Sequence, residues 1–228
     1  MSNRHTLALL TALCLYGTAH AQPAKTSFPK MMPLDQYLME RNAEITLARS
    51  AAPPSISTDA DVLILGRHGY ETASKGKNGF LCYVERAWHG DPDGPDFWDP
   101  RVRGPICLNP AAVRSVLPVT KRKTDLALGG ATKEQVVSRI SSSIEKKELP
   151  LPEVGAMCYM LSSKGWLAGA NSHWHPHLMF YLPETAAWGE NLPGSPVLSF
   201  KDHMDHLTLF MVPVKKWSDG TPDVPHEH

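Results

Sequence analysis

His173-Trp174-His175-Pro176-His177 places three imidazoles at alternate positions. Histidine is the commonest side-chain ligand for transition metals, and its neutral ring can also take up a proton near neutrality. Pro176 pushes His175 out of helical backbone and into an extended conformation. On an extended chain, residues two apart point the same way, about 6.6 Å from one another. Two such rings can share one zinc ion at metal–nitrogen distances of about 2.1 Å. The outer pair, His173 and His177, would stand about 13 Å apart on a straight strand, so one ion takes two of the three rings. Further ligands would come from Glu184, His203 or His206. The cofactor for this pattern is one transition-metal ion such as zinc. Gly169, His175, His177 and Glu184 follow the order of a cupin metal motif, but the glutamate falls too far along the chain. The competing reading is structural: His177 is hydrogen-bonded where the chain enters a strand, and its two neighbours line a loop.

Other residue groups point to chemistry less strongly. Asp91, Asp93, Asp96 and Asp99 resemble a calcium loop in spacing, but Pro92, Pro95 and Pro100 interrupt it and no closing glutamate follows. A solvated turn region is expected there. Trp88, Phe97 and Trp98 are expected to cover the core beneath that loop. The chain has no G-x-S-x-G elbow, and Gly165 and Gly169 are too scattered for a phosphate loop. Ser162-Ser163-Lys164 reads as a turn, and His68 and Glu71 as exposed hairpin residues. Cys158 lies inside the apolar run Ala156–Leu161 and is expected to be a buried thiol with nothing nearby to activate it.

The elements that must position these groups begin after a leader. Arg4, the apolar run Leu7–Tyr16 and Ala19-His20-Ala21 read as a signal peptide over residues 1–21. An apolar run of about 10 residues is too short for a membrane span, which needs about 20. Leu13 before Cys14 argues against lipoprotein processing. Periplasmic or secreted placement follows, with no transmembrane segment in the mature chain. The leader removes one basic residue from a balance of 23 basic and 23 acidic. A near-neutral chain offers no field for nucleic acid. Export permits a disulfide, and Cys82 and Cys107 flank a proline- and aspartate-rich loop of about 25 residues, whose closure would stabilise the fold by about 3 kcal/mol.

Residues 22–32 read as a mobile N-terminal segment, 33–217 as one domain and 218–228 as a flexible C-terminal tail. Helical spacing starts at Leu34 and fades before Pro53-Pro54. Val62–Leu65 reads as a strand, Gly66–Gly79 as a turn or hairpin region, and Phe80–Val84 as its return strand. Asn109-Pro110 can open a short helix, and Thr132 to Gln135 form a capping box before a helix carrying Val136, Val137, Ile140 and Ile144. Met157–Leu161, Leu178–Leu182 and Leu207–Val214 read as strands. The class expected is α+β: a mainly antiparallel sheet with a central helical block.

Four segments occur in a fixed order: Asn78-Gly79-Phe80-Leu81-Cys82, Pro105-Ile106-Cys107-Leu108, Gly155 to Ser162, and Pro176-His177-Leu178-Met179-Phe180-Tyr181. In this the chain resembles an uncharacterised group of small exported bacterial proteins, over roughly residues 60–215. The resemblance implies pairing of Cys82 with Cys107 and marks His177 as the histidine shared with distant members. It carries no activity. The expected function is an exported binding protein, possessing a small ligand or an envelope protein as partner. One alternative is a metal-dependent enzyme using two of the histidines with Glu184, His203 or His206. The other is an envelope-structural role.

Overall fold

The computed structural model describes residues 28–167, 174–183 and 192–224 of the chain. The leader at 1–21, the start of the lead-in at 22–27, Gly169, His173, Glu184 and residues 225–228 lie outside them.

Val62-Leu63-Ile64-Leu65 are buried without alternation, as in a strand covered on both faces. They form the centre of β1 (Asp61–Gly66). Phe80–Val84 is not the return strand. That role belongs to β2 (Gly69–Ser74), which folds back through Arg67-His68 in the register Gly66↔Gly69. Gly69 takes φ +112°, which a side chain would oppose, so the hairpin closes inside the glycine-rich region. The next strand, β3 (Leu81–Glu85), lies on the other side of β1 and parallel to it. β4 (Gly104–Leu108), β5 (Met157–Met160), β6 (His177–Pro183), β7 (Leu198–Asp202) and β8 (Leu207–Pro213) follow, all in antiparallel pairs. The sheet order is β2-β1-β3-β4-β5-β6-β8-β7. The fold is α+β, with eight strands in a mostly antiparallel sheet.

Helices cover both faces of the β1–β4 half. α1 (Arg41–Arg49) starts later than its hydrophobic spacing implies, because Leu34–Gln36 forms a 3-10 turn and Glu40 then caps the N–H groups of Asn42 and Ala43. Ala48, with Ala51 and Ala52 just beyond the helix, packs on Val62, Cys82, Val84 and Cys107. A short turn of helix, α2 (Pro54–Ser57), leads into β1. The opposite face carries α3 (Pro110–Ser115), capped by Asn109, and α4 (Leu117–Leu128). α5 (Lys133–Glu145) packs on α4 and begins with the expected Thr132–Gln135 capping box.

Cys82 and Cys107 are cross-strand neighbours on β3 and β4 and are disulfide-bonded. Cys158 is a buried free thiol. Trp88, Phe97 and Trp98 are core residues beneath the 91–100 loop. Phe28, Met31 and Met32, expected in a mobile lead-in, pack against that same core. Residues 218–224 do not leave the domain as a tail. Ser218 donates its N–H to Leu161 O and its hydroxyl to Ser50 O, and Asp223 N–H donates to Lys215 O. No helix among the described residues is long and apolar enough to cross a membrane.

Candidate functional site

The histidine run divides at Pro176. His177 opens β6 and is 4% exposed. Its Nδ1 lies 2.7 Å from His175 O, which makes Nδ1 the protonated nitrogen, and Trp174 stands edge-on to its ring. Burial holds its pKa below the ordinary histidine value. His175 is half-exposed, and its Nδ1 meets Asp223 Oδ2 at 2.6 Å. The two rings thus sit in different surroundings, one under Trp174 and the other against the C-terminal hairpin.

Register separates the remaining histidines from this end. His177 pairs with Pro213, and Pro183 pairs with Leu207. Six residues of strand therefore lie between His177 and the β7–β8 turn that carries His203 and His206, a distance of about 20 Å. One ion cannot bind at both ends. His203 is exposed on the turn, and His206 Nε2 meets Ser141 Oγ of α5 at 2.7 Å. Among the described residues no three His, Cys, Asp or Glu side chains converge on a metal position. His173 and Glu184 lie outside those residues.

The polar cluster that the fold does assemble uses other residues. Glu85 ends β3, Lys123 projects from α4, and Asp205 sits in the β7–β8 turn. Lys123 Nζ donates to Asp205 Oδ2 at 2.7 Å and to His89 O at 3.4 Å, with its side chain 2% exposed. Tyr83 hydroxyl donates to Glu85 Oε1 at 3.3 Å. Gly104 faces Glu85 across β3 and β4. A Cβ there would lie 2.8 Å from Leu167 Cδ2 and 3.6 Å from Glu85 Oε2, so the glycine makes room for both side chains.

His89 borders the cluster but is locked. Its Nδ1 accepts the Arg86 N–H, so Nε2 carries the proton and donates to Thr124 Oγ1 at 2.9 Å. Thr124 also accepts from Trp88 Nε1 and donates to Thr120 O. Burial, then the Lys123 and Arg86 charges, hold the His89 pKa well below its ordinary value. Arg86 is itself occupied, donating to Tyr37 O, Val84 O and Glu44 Oε1.

Glu85 carries the adjustable charge. Burial pushes its pKa up to about 7 against the pull of Lys123 and Tyr83, and Asp205 adds to the rise. Asp205 is pushed up to about 6, mainly by burial. Burial also works against the Lys123 charge, but Asp205 and Asp202 outweigh it and raise its pKa above the ordinary lysine value. Among the described residues Asp205 Oδ1 is buried and receives no hydrogen bond, and the Tyr83 hydroxyl donates to half-buried Glu85. The arrangement can exchange a proton near neutrality at Glu85.

None of Glu85, Lys123 and Asp205 carries a motif. Glu85 sits in an apolar strand, Lys123 in an unmarked helix, and Asp205 lies 82 positions beyond Lys123. The available signal was a lone glutamate closing a buried strand, and it is weak. A cavity of about 620 Å³ opens elsewhere, between Phe28–Met31, the Gly94–Trp98 loop and the start of α5, and shares no lining residue with the cluster. No family of known proteins, no curated protein and no solved structure matches the chain.

Proposed function

We propose that this is an exported binding protein whose ligand is taken at the Glu85–Lys123–Asp205 cluster. One observation carries the reading: a buried lysine–aspartate pair acts on a half-buried glutamate whose carboxyl is raised to exchange a proton near neutrality. Carboxyls shifted toward neutrality by burial and by a specific charge partner cluster at binding and catalytic sites. The leader at 1–21 supports export, and the bonded Cys82–Cys107 pair is compatible with an oxidising compartment. The resemblance to small exported bacterial proteins fits the same placement.

The test is a titration of ¹⁵N-labelled protein with a small-molecule extract of the producing cells, followed by amide chemical shifts. Shifts clustered around Glu85, Lys123 and Asp205, and lost in Glu85→Gln, support the site. Shifts confined to the 28–31 and 130–134 cavity, or unchanged by the substitution, sink it.

A second reading, metal binding at His175, draws on one contact. Asp223 Oδ2 on Nδ1 fixes the ring in the manner of carboxylate–histidine–metal groups. Untagged protein would then carry near-stoichiometric zinc, copper, iron or manganese. Less than about a tenth of an equivalent, with no uptake on adding metal, removes this reading.

A further inference from the structure

We infer that one face of β5, β6 and β8 binds a soft monovalent ion, copper(I), through His177 Nε2 and the thioethers of Met160, Met179 and Met211. This site is separate from the Glu85 cluster and uses no carboxylate. The first argument is register. Met160 on β5 stands opposite His177 on β6, and Met179 on β6 stands opposite Met211 on β8. Opposed residues of an antiparallel pair share a face at about 5 Å, and residues two apart on a strand also share one. His177 and Met179 are two apart on β6, so all four side chains leave the sheet on the same side. Trp174 ties them together: it stands edge-on to His177, with 5.0 Å between ring centroids, and packs in one cluster with Met160 and Met179.

The second argument is the orientation of the imidazole. Its Nδ1 donates to His175 O, which leaves the ring's lone pair on Nε2. A metal-bound histidine is usually held in this way, with its other nitrogen donating to a carbonyl or carboxylate. Among the described residues, the buried polar atoms without a partner are Arg49 Nε, Asp205 Oδ1 and Thr208 Oγ1. Nε2 is not one of them, and the hydrogen bond of the ring runs through Nδ1, so Nε2 reaches solvent. Met179 and Met211 are half-buried and give an ion its way in. Their unbranched side chains change rotamer readily and can close on it.

The third argument is donor chemistry. Thioether sulfur is soft and polarisable, suited to copper(I) and unsuited to calcium or magnesium. The four donors carry no formal charge, and their surroundings are apolar, so a monovalent ion costs less to bury than zinc(II). Cys158 lies opposite Met179 on the same face but stays outside the ligand set. It is wholly buried, accepts the Tyr181 hydroxyl at 3.1 Å, and remains a thiol because burial pushes its pKa up.

Silver(I) is the probe, because it shares the charge and closed shell of copper(I) and needs no reductant that would open the Cys82–Cys107 bond. Calorimetric titration with silver nitrate gives the stoichiometry, and methionine-methyl ¹H–¹³C spectra locate the ion. The expected result is one equivalent bound, with the Met160, Met179 and Met211 methyl signals shifted. The double substitution Met179→Leu with Met211→Leu should weaken binding about tenfold or more. These exchanges conserve volume, and a thermal melt checks that the double variant is folded. Cys158→Ala should bind silver as the parent does. Absence of binding, or equal binding by the parent and the double variant, overturns the site. Binding lost in Cys158→Ala with the methyl signals unmoved overturns it in favour of the thiol. Zinc(II) shifting the same methyl signals at lower concentration than silver overturns the preference for a soft monovalent ion.

Discussion

Lys123 keeps its charge with 2% of its side chain exposed because Asp205 stands 2.7 Å away. Neither charge would be tolerable there alone, since removing an ion from water costs several kcal/mol even in a relaxed protein interior. Lys123→Met is therefore expected to cost about 3–5 kcal/mol in chemical denaturation, by stranding Asp205. The double substitution Lys123→Met with Asp205→Leu should recover most of that loss. A double variant as unstable as the single would show that the pair is not the cause. Glu85 gives a pH dependence of definite sign. Its folded pKa of about 7 lies above the ordinary 4.5, so the folded chain holds a proton that the unfolded chain has released. The associated stability is fully present below 4.5 and is lost as pH rises through 7. The loss is about 2 kcal/mol once partial exposure is allowed for. Asp205 adds a smaller loss of the same sign. Denaturation curves at pH 5 and pH 8 should show this fall in the parent and a flatter profile in Glu85→Gln. Equal slopes in the two proteins would remove Glu85 as the source.

The β7–β8 turn brings a distant part of the chain to the site. Met204 is 1% exposed and enters the core formed with Trp88 and Val119, Asp205 reaches Lys123, and His206 reaches Ser141. Three successive side chains thus dock the turn on α4 and α5. His206 takes φ +52° to make this possible, in the left-handed region where histidine is among the more tolerated residues. None of this is written in the hydrophobic pattern. Sequence periodicity finds β1, β5, β6, β8 and α5, whose apolar residues recur cleanly. It misses α4 because its buried face includes Thr120, Lys123 and Thr124, and it misses β7 because Leu198 and Phe200 are exposed and Lys201 and Asp202 follow. The β2–β3 connection offers a sharp check on element geometry. A Cβ on Gly76 would fall 2.0 Å from Asp59 O, a backbone atom that cannot swing aside. Gly76→Ala should cost about 3 kcal/mol or more in a thermal or denaturant melt. A loss below about 1 kcal/mol would show that the backbone there shifts freely.

At the scale of the whole molecule, the sheet spans two differently protected halves. α1 and α4 bury the β1–β4 half on both faces, and the Cys82–Cys107 bond ties neighbouring strands within it. Closing a loop of 25 residues is worth about 3 kcal/mol in the chain-entropy model. Reduction under native buffer should lower the unfolding free energy by that amount and the denaturation midpoint with it, and thiol labelling after unfolding should rise from one cysteine to three in the leaderless chain. An unchanged midpoint would mean the bond adds nothing. The order of periodic segments made the class legible, and the exported setting, the loop between Cys82 and Cys107 and the resemblance made the disulfide so. The site escaped because Asp205 reaches Lys123 only once the β7–β8 turn has docked on α4, far along the chain from Glu85 at the end of β3. The histidine run drew attention by spacing, yet β6 buries His177 and turns His175 toward Asp223.

The central claim is that the Glu85–Lys123–Asp205 cluster holds a small molecule. Native mass spectrometry of the parent and Glu85→Gln proteins, both recovered from producing cells without denaturation, tests it most directly. A small-molecule adduct on the parent that is absent from Glu85→Gln is the predicted result. An adduct retained equally by both folded proteins would contradict it.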